Sequence, residues 1–403
     1  MVKPGYKENS FNQIIPTIEY FLSGKSKNKK IENEVLNGKR YDKVVLILVD
    51  AFGWCFWEKF KKEINFLKKA ERNGTILKLI SQFPSTTTAE ITTILTDTPV
   101  NEHGMYEWRY FEPKVDDIII PFKFCKNEDK ETNTLKREIK DPGLIFPKNN
   151  FYKRFKNKGI KPYYFINNMY MKSPFNKSSC KGVNFVVTKN WDDSVKKISK
   201  IIKREEKAYY FLYIDGVDAK GHDFGPNSKE FKKEIKTSFE MINTLVKGIS
   251  KSKNTLLLIT ADHGQIEINP KTTIYLNKVW PEIVKYIKKN KNNKLMVPAG
   301  GPRDMFLYIE NEYLALVKDN LKNVLKNKAD VFETKELLDQ GFFGDSKASK
   351  KFLERLGNLV VLPFPGESVW WYKKNIFEQK YFGHHGGLTK EEMEIPLILL
   401  PIG

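Results

Sequence analysis

The sequence predicts an α/β fold built on a sheet of buried parallel strands, and three short stretches carry that prediction. Residues 44–49, inside YDKVVLILVDAFGW, form a continuous apolar run that stops at Asp50 and a glycine-containing turn. AYYFLYID, residues 208–215, and Thr255–Thr260 in NTLLLITADHG repeat the pattern. Such runs suit strands covered on both faces. Acidic residues at each carboxyl end, followed by helical or turn sequences, place ligands in the crevice beyond the strand ends.

Taken in order, the segment after Asp50 is expected to form a helix over residues 54–70, closed by ERNG with glycine as the stop. Thr75–Ile80 reads as another strand, leading into SQFPSTTTAEITTILTD, a loop that enters a helix near Thr87. Over residues 107–190 the pattern decays into lysine-, proline- and aromatic-rich pieces without a period, which predicts an inserted cap. After AYYFLYID, Asn227 and Glu230 offer a capping box to a helix lined on one face by Phe231, Ile235, Phe239, Ile242 and Val246. Residues 265–380 hold a strand at MFLYI, a helix over 312–327 and a second irregular region. FGHHGGLTKEEMEIPLILLP ends in one more apolar strand. The expected organisation is therefore core at 1–106, cap at 107–190, core at 191–264, a second insertion with mixed core elements at 265–380, and core at 381–403. Neither GxGxxG nor GxxxxGK occurs, so no glycine-rich phosphate loop is expected.

Composition narrows the class. A chain of 403 residues that is 40% hydrophobic, with 28 phenylalanines, can bury a large core, and no tract is apolar enough to cross a membrane. The N-terminal MVKPGYKENSFNQIIP lacks an apolar core of signal-peptide length, which predicts no export and a cytoplasmic location. Cys55, Cys125 and Cys180 stand singly, which argues against a disulfide framework or a thiolate metal site. The net charge of +20 would suit a nucleic acid partner, but the excess is lysine spread along the chain, as in KSKNKK and KYIKKNKNNK, without arginine clusters. A solvated basic surface is the favoured reading, and an anionic substrate the favoured partner.

All five histidines fall in loop or strand-end segments: His103 in VNEHGM, His222 in AKGHDFGP, His263 in TADHGQ, and His384 with His385 in FGHHGGL. Taken singly, each His or Asp in such a place is more often a turn residue. Together, Asp50, Asp218, His222, Asp262, His263 and His385 supply six nitrogen and oxygen donors, a set that suits two adjacent zinc-like ions rather than magnesium or calcium.

VLILVDAFGW, FPSTTTAEITTILTDTPVNEHGM, DAKGHDFGP, ITADHG and GHHGGLTKEEMEIPLIL, in that order, resemble the type I phosphodiesterase and nucleotide pyrophosphatase family of the alkaline phosphatase superfamily. The resemblance implies an alkaline-phosphatase-like core sheet flanked by helices, with a smaller cap formed by the insertions. It implies one divalent ion held by Asp218, His222 and His385, and another by Asp50, Asp262, His263 and a threonine nucleophile, with zinc the first choice and manganese or another transition metal the alternative. The family's FPTxT pattern aligns without a gap on Phe83 to Thr87, which makes Thr87 the nucleophile, with Thr86 and Thr88 as neighbours in the same run. The implied reaction is attack by Thr87 on a small phosphodiester or nucleotide, a covalent phosphothreonine intermediate, and its hydrolysis. Gly221 and Gly225 would permit a tight turn around the ion between Asp218 and His222.

Two departures stand out. Glu90 occupies the place of a family asparagine that donates to a phosphate oxygen, so Arg109 or Lys220 is expected to supply the missing donor. The family's nucleotide-binding aromatics have no clear counterpart, leaving Trp108, Tyr110, Trp370 and Trp371 as stacking candidates or core. His384 reads as a supporting residue, and His103 as one that holds its turn by hydrogen bonds. Phosphomonoester and phosphonoacetate hydrolysis share this scaffold, whereas a sulfatase would need a CxPxR-type context that is absent. A nucleic-acid-binding protein on a degenerate scaffold would show vacant ligand positions, and every one is filled.

Overall fold

A computed structural model describes residues 1–6, 8–148 and 151–403. Its centre is a seven-stranded sheet in the order Thr75–Ile80, Glu394–Ile402, Thr255–Thr260, Lys43–Val49, Ala208–Ile214, Lys161–Asn167, Asn184–Thr188. The last five are mutually parallel, and Glu394–Ile402 runs antiparallel to both of its neighbours. The three apolar runs singled out in the sequence lie side by side at the middle, where helices cover both faces and every residue from Val44 to Val49 is buried. Strand register then aligns the acidic residues at the strand ends. Val49 pairs with Ile214 and Leu48 with Thr260, so Asp50 and Asp262 leave the same edge of the sheet at the same level.

The expected 54–70 helix is two helices, Trp54–Phe60 and Asn65–Asn73. At about 100° per residue, Phe60 and Phe66 would point about 120° apart on one continuous helix. The break lets both be buried. The long helix Lys229–Ile249 is capped by Ser228, whose Oγ accepts from the Phe231 N–H at 3.1 Å, while Asn227 turns away to Glu267. The N-cap therefore lies one residue after the expected Asn227, and with Phe231 at the third helical position the expected capping box does not form.

The cap is smaller than the sequence predicts. Lys161–Asn167 and Asn184–Thr188 join the central sheet, which claims part of the 107–190 stretch. Their Tyr- and Lys-containing patterns conceal strands at one side of the sheet, where burial is incomplete. A three-stranded sheet, Tyr110–Glu112, Asp117–Ile120 and Cys125–Lys126, lies within that insertion. The second insertion contains a four-stranded antiparallel sheet in the order Ala299–Gly301, Asp304–Leu307, Leu359–Pro363, Ala329–Glu333. It packs on its own apolar cluster, which includes Leu276, Ile283, Leu321, Trp370 and Trp371. No helix among the described residues is long and apolar enough to cross a membrane.

Candidate active site

The turn after Lys43–Val49 holds Asp50 almost fully buried. Its Oδ2 accepts from the Tyr213 hydroxyl on the neighbouring strand, and its Oδ1 has no hydrogen-bond partner. Ala51 follows with φ of 60°, a left-handed conformation uncommon outside glycine. That conformation turns the Ala51 N–H onto Asp262 Oδ1 at 3.1 Å, where the His263 N–H also donates at 3.0 Å. Asp262 Oδ2 is left buried and without a partner. His263 Nε2 lies 3.5 Å from Asp50 Oδ1, 3.5 Å from Asp262 Oδ2 and 3.1 Å from Thr87 Oγ1.

Thr87 is the first residue of the helix Thr87–Thr96, with Thr86 as its extended N-cap. The structure separates the three threonines of the run. Thr86 donates its hydroxyl to the Tyr106 carbonyl and Thr88 is buried, whereas Thr87 is partly exposed beside His263. Because Thr87 opens the helix, the N–H groups of the first turn lie at the same end of it.

Asp218 and His222 stand four residues apart on one face of the helix Gly216–Phe224, with Nε2 to Oδ2 at 3.3 Å. The tight turn expected here is therefore a helix, and Gly225, at φ of 84°, ends it. Gly221 serves another purpose: a Cβ there would sit 1.7 Å from Gln265 Oε1. His385 enters from the last metal-ligand segment, 3.8 Å from Asp218 Oδ1, and its ring stacks on that of His263 with centroids 3.7 Å apart. Asp218, His222 and His385 form one group of potential ligands, and Asp50, Asp218 and His263 another, each with its ligand atoms within 4.8 Å of one another. Asp218 thus borders both groups, which the sequence could not indicate.

The histidine tautomers follow from their partners. His222 Nδ1 lies 2.7 Å from the Gly383 carbonyl, His263 Nδ1 2.9 Å from the Gly264 carbonyl and His385 Nδ1 3.0 Å from the Ser85 carbonyl. A carbonyl only accepts, so each Nδ1 carries a proton, and Nε2 is the nitrogen that faces the cluster and offers its lone pair when the ring is neutral. Burial raises the Asp50 carboxyl well above its ordinary value, and the charges of Asp262 and Asp218 add to the effect. Burial also drives His385 well below the usual histidine range. For Asp218 burial acts upward, but His222, His385 and His263 outweigh it and hold the carboxyl low. Two buried, unpartnered carboxylate oxygens facing three imidazole lone pairs fit a pair of borderline divalent cations.

Glu90 does not face this cluster. It is fully buried, accepting from the Gln82 N–H at 2.6 Å and the Gln82 side-chain amide at 2.8 Å, with the Ser81 hydroxyl at 2.7 Å. Its role is to fix the loop before the nucleophile helix rather than to bind substrate. Burial pushes its carboxyl up to about 8 from 4.5. The stability tied to that proton is complete below about pH 4.5 and is lost as the pH rises toward about 8. Glu90→Gln is expected to remove this loss. Urea midpoints at about pH 5 and about pH 8 test it: the wild type should fall more between them than the variant.

Lys220 is likewise misplaced as a substrate ligand. It sits two residues from both Asp218 and His222, hence on the other side of the helix, with Nζ 5.3 Å over the Phe224 ring. Arg109 donates from Nε to Asn127 Oδ1 at 2.8 Å and lies 5.8 Å over the Trp370 ring. Neither partner belongs to the cluster. Tyr110, Trp370 and Trp371 are buried core, and Trp108 packs edge-on against Phe122. His384 makes ring contact with His222 at 4.9 Å, and its buried Nε2 lacks a partner. His103 holds its turn as expected: Nδ1 accepts from the Met105 N–H at 3.0 Å and Nε2 donates to Thr93 Oγ1 at 3.1 Å. The sequence reading missed Tyr213 and Gln265. The only sequence signal for either was proximity to a ligand, since Tyr213 precedes Asp218 by five residues and Gln265 follows His263 by two.

Fold and cluster together define an alkaline-phosphatase-type α/β core. The type I phosphodiesterase/nucleotide pyrophosphatase family model matches residues 44–388, and the chain belongs to that family. Among solved structures, murine ectonucleotide pyrophosphatase/phosphodiesterase 5 superposes with a TM-score of 0.65 at 17% identity, covering 89% of this chain and 88% of that one. The human counterpart gives 0.66 at 16% identity over the same shares. Among curated relatives, a Schizosaccharomyces pombe protein described as an uncharacterized pyrophosphatase/phosphodiesterase is 24% identical over 229 residues, 54% of this chain and 43% of the relative. Human ectonucleotide pyrophosphatase/phosphodiesterase family member 1 is 33% identical over 79 residues, 19% of this chain and 8% of the relative. The matches span less than half the length of these curated relatives.

Proposed function

We propose that this chain hydrolyses phosphodiester or pyrophosphate bonds of nucleotides or related small phosphodiesters, with Thr87 as the nucleophile. The observation that carries the proposal is the convergence of Asp50, Asp262 and the Thr87 hydroxyl on His263 Nε2, next to the Asp218, His222 and His385 group. Asp50, Asp262, His263 and Thr87 would hold one divalent ion, zinc by the donor set, and Asp218, His222 and His385 the other. Bound there, such ions lower the pKa of a coordinated hydroxyl or water and neutralise charge on the phosphate oxygens.

The chain's own residues do the rest. The N-terminal turn of Thr87–Thr96 aims backbone N–H groups and the positive end of the helix dipole at an incoming phosphate. The Nδ1 bonds of the three histidines fix their rings with Nε2 toward the cluster, and Ala51 holds Asp262 in place through its backbone. Thr87 would attack phosphorus, forming a Thr87 Oγ1–P bond as the leaving-group oxygen departs with its electron pair. Water would then cleave the O–P bond and restore the hydroxyl. An inactive threonine-to-alanine form of the murine relative is described in complex with AMP, which supports a nucleotide-like substrate and a threonine role.

The cationic side chains considered as phosphate donors have partners outside the cluster, Lys220 over Phe224 and Arg109 Nε on Asn127. A diester carries one negative charge fewer than a monoester dianion and needs less compensation. The zinc-loaded protein is therefore expected to turn over bis-p-nitrophenyl phosphate faster than p-nitrophenyl phosphate. A clear preference for the monoester would replace this reading with phosphomonoester hydrolysis. Inactivity on both these compounds and on ATP would refute it.

A further inference from the structure

Every carboxylate of the cluster has one oxygen engaged by a neutral donor, and in each the other oxygen is turned toward an imidazole. Asp262 achieves this through the backbone, its Oδ1 taken by the N–H groups of Ala51 and His263. Asp50 and Asp218 achieve it through side chains. The Tyr213 hydroxyl donates to Asp50 Oδ2, and Oδ1 remains 3.5 Å from His263 Nε2. The Gln265 amide donates from Nε2 to Asp218 Oδ1 at 2.9 Å, the oxygen that lies 3.8 Å from His385 Nε2, and Oδ2 is the nearer to an imidazole, 3.3 Å from His222 Nε2.

Both donors are built in. Tyr213 sits on Ala208–Ile214 directly opposite Leu48, two residues before Asp50 on the adjacent parallel strand. Gln265 is almost fully buried in a slot cleared by two glycines, since a Cβ on Gly221 or Gly383 would fall 1.7 or 2.6 Å from its Oε1. That oxygen has no hydrogen-bond partner, a cost that packing alone does not explain. An apolar residue would fill the slot without it. A lysine or arginine in either place would cancel the carboxylate charge that a cation needs, whereas a phenol or amide orients the carboxylate and leaves that charge available.

We propose that Tyr213 and Gln265 are positioning residues that each commit one carboxylate to single-oxygen ligation, Tyr213 for the ion of the Asp50, Asp262 and His263 site and Gln265 for the ion of the Asp218, His222 and His385 site. The inference rests on the two-ion reading of the cluster. Its consequence is that the Asp50 and Asp218 carboxylates are oriented by different residues.

The test is zinc titration of chelator-stripped protein by calorimetry, comparing wild type, Tyr213→Phe and Gln265→Met. His263→Ala and His222→Ala serve as references that assign each binding step to a site. Tyr213→Phe is expected to weaken the His263-dependent step, and Gln265→Met the His222-dependent step, by about 10- to 100-fold each, with the other step changed less. Metal-free melting temperatures report whether the variants fold. If Gln265→Met fails that check, Tyr213→Phe decides alone. Two zinc steps in the wild type with both affinities retained in the folded variants overturns the inference and spares the two-ion reading; so does a variant that weakens both steps equally. A wild type that takes up no zinc overturns both.

Discussion

Thr87→Ala is expected to lower kcat on a phosphodiester by about 10³-fold or more while the protein keeps its fold and its metal. The chemistry requires a group that can form and break a bond to phosphorus, and the hydroxyl beside His263 Nε2 is the one the cluster presents. Asp50, Asp262 and His263 still converge without it, so one ion site should lose a single ligand and persist. The helix should survive as well. Alanine is the better helix former, and Thr86 remains as N-cap. Steady-state kinetics with bis-p-nitrophenyl phosphate, paired with metal analysis of the same samples, checks the expectation. Thr87→Ser keeps the hydroxyl and should retain measurable turnover. Activity of the alanine variant within about tenfold of wild type would remove Thr87 from the mechanism and direct attention to an attacking water.

Loading the stripped protein with zinc is expected to stabilise it by about 2.7 kcal/mol per site when free metal is about one hundred times Kd. The reason is local. Asp50, Asp218 and Asp262 crowd a buried cleft, and burial first, then mutual repulsion, raises the Asp50 carboxyl. A cation relieves that repulsion and gives the unpartnered Asp50 Oδ1 and Asp262 Oδ2 something to bind. Thermal melts with excess EDTA and with zinc measure the difference, and His263→Ala should lose about half of it. Equal melting temperatures in the two conditions would mean that the cluster does not hold metal in the folded state.

Much of this site was legible before any coordinates. Asp50, Asp262 and His263 end strands whose unbroken apolar character marks them as central, and Asp218 and His222 carry the four-residue spacing of one helical face. Hydrogen-bond donors were harder. Glu90 was placed at the site by its match to a family asparagine and Lys220 by sequence neighbourhood, yet Glu90 is consumed by Ser81 and Gln82, and Lys220 lies on the wrong side of its helix. The size of the cap was misjudged because strands at one side of a sheet lack the unbroken apolar signature of central ones.

What the sequence determined by itself was the fold class and the segments that carry the candidate ligands and Thr87, because burial and metal chemistry each restrict which residue types can stand at a position. Tertiary structure alone decided which threonine of three meets His263, that Asp218 borders both ligand groups, and that Tyr213 and Gln265 each take one carboxylate oxygen. Those outcomes depend on strand register and on directed hydrogen bonds between residues as far apart as Asp50 and Tyr213. Local sequence does not encode such distances, since they are set only when the strands align and the side chains close around one another.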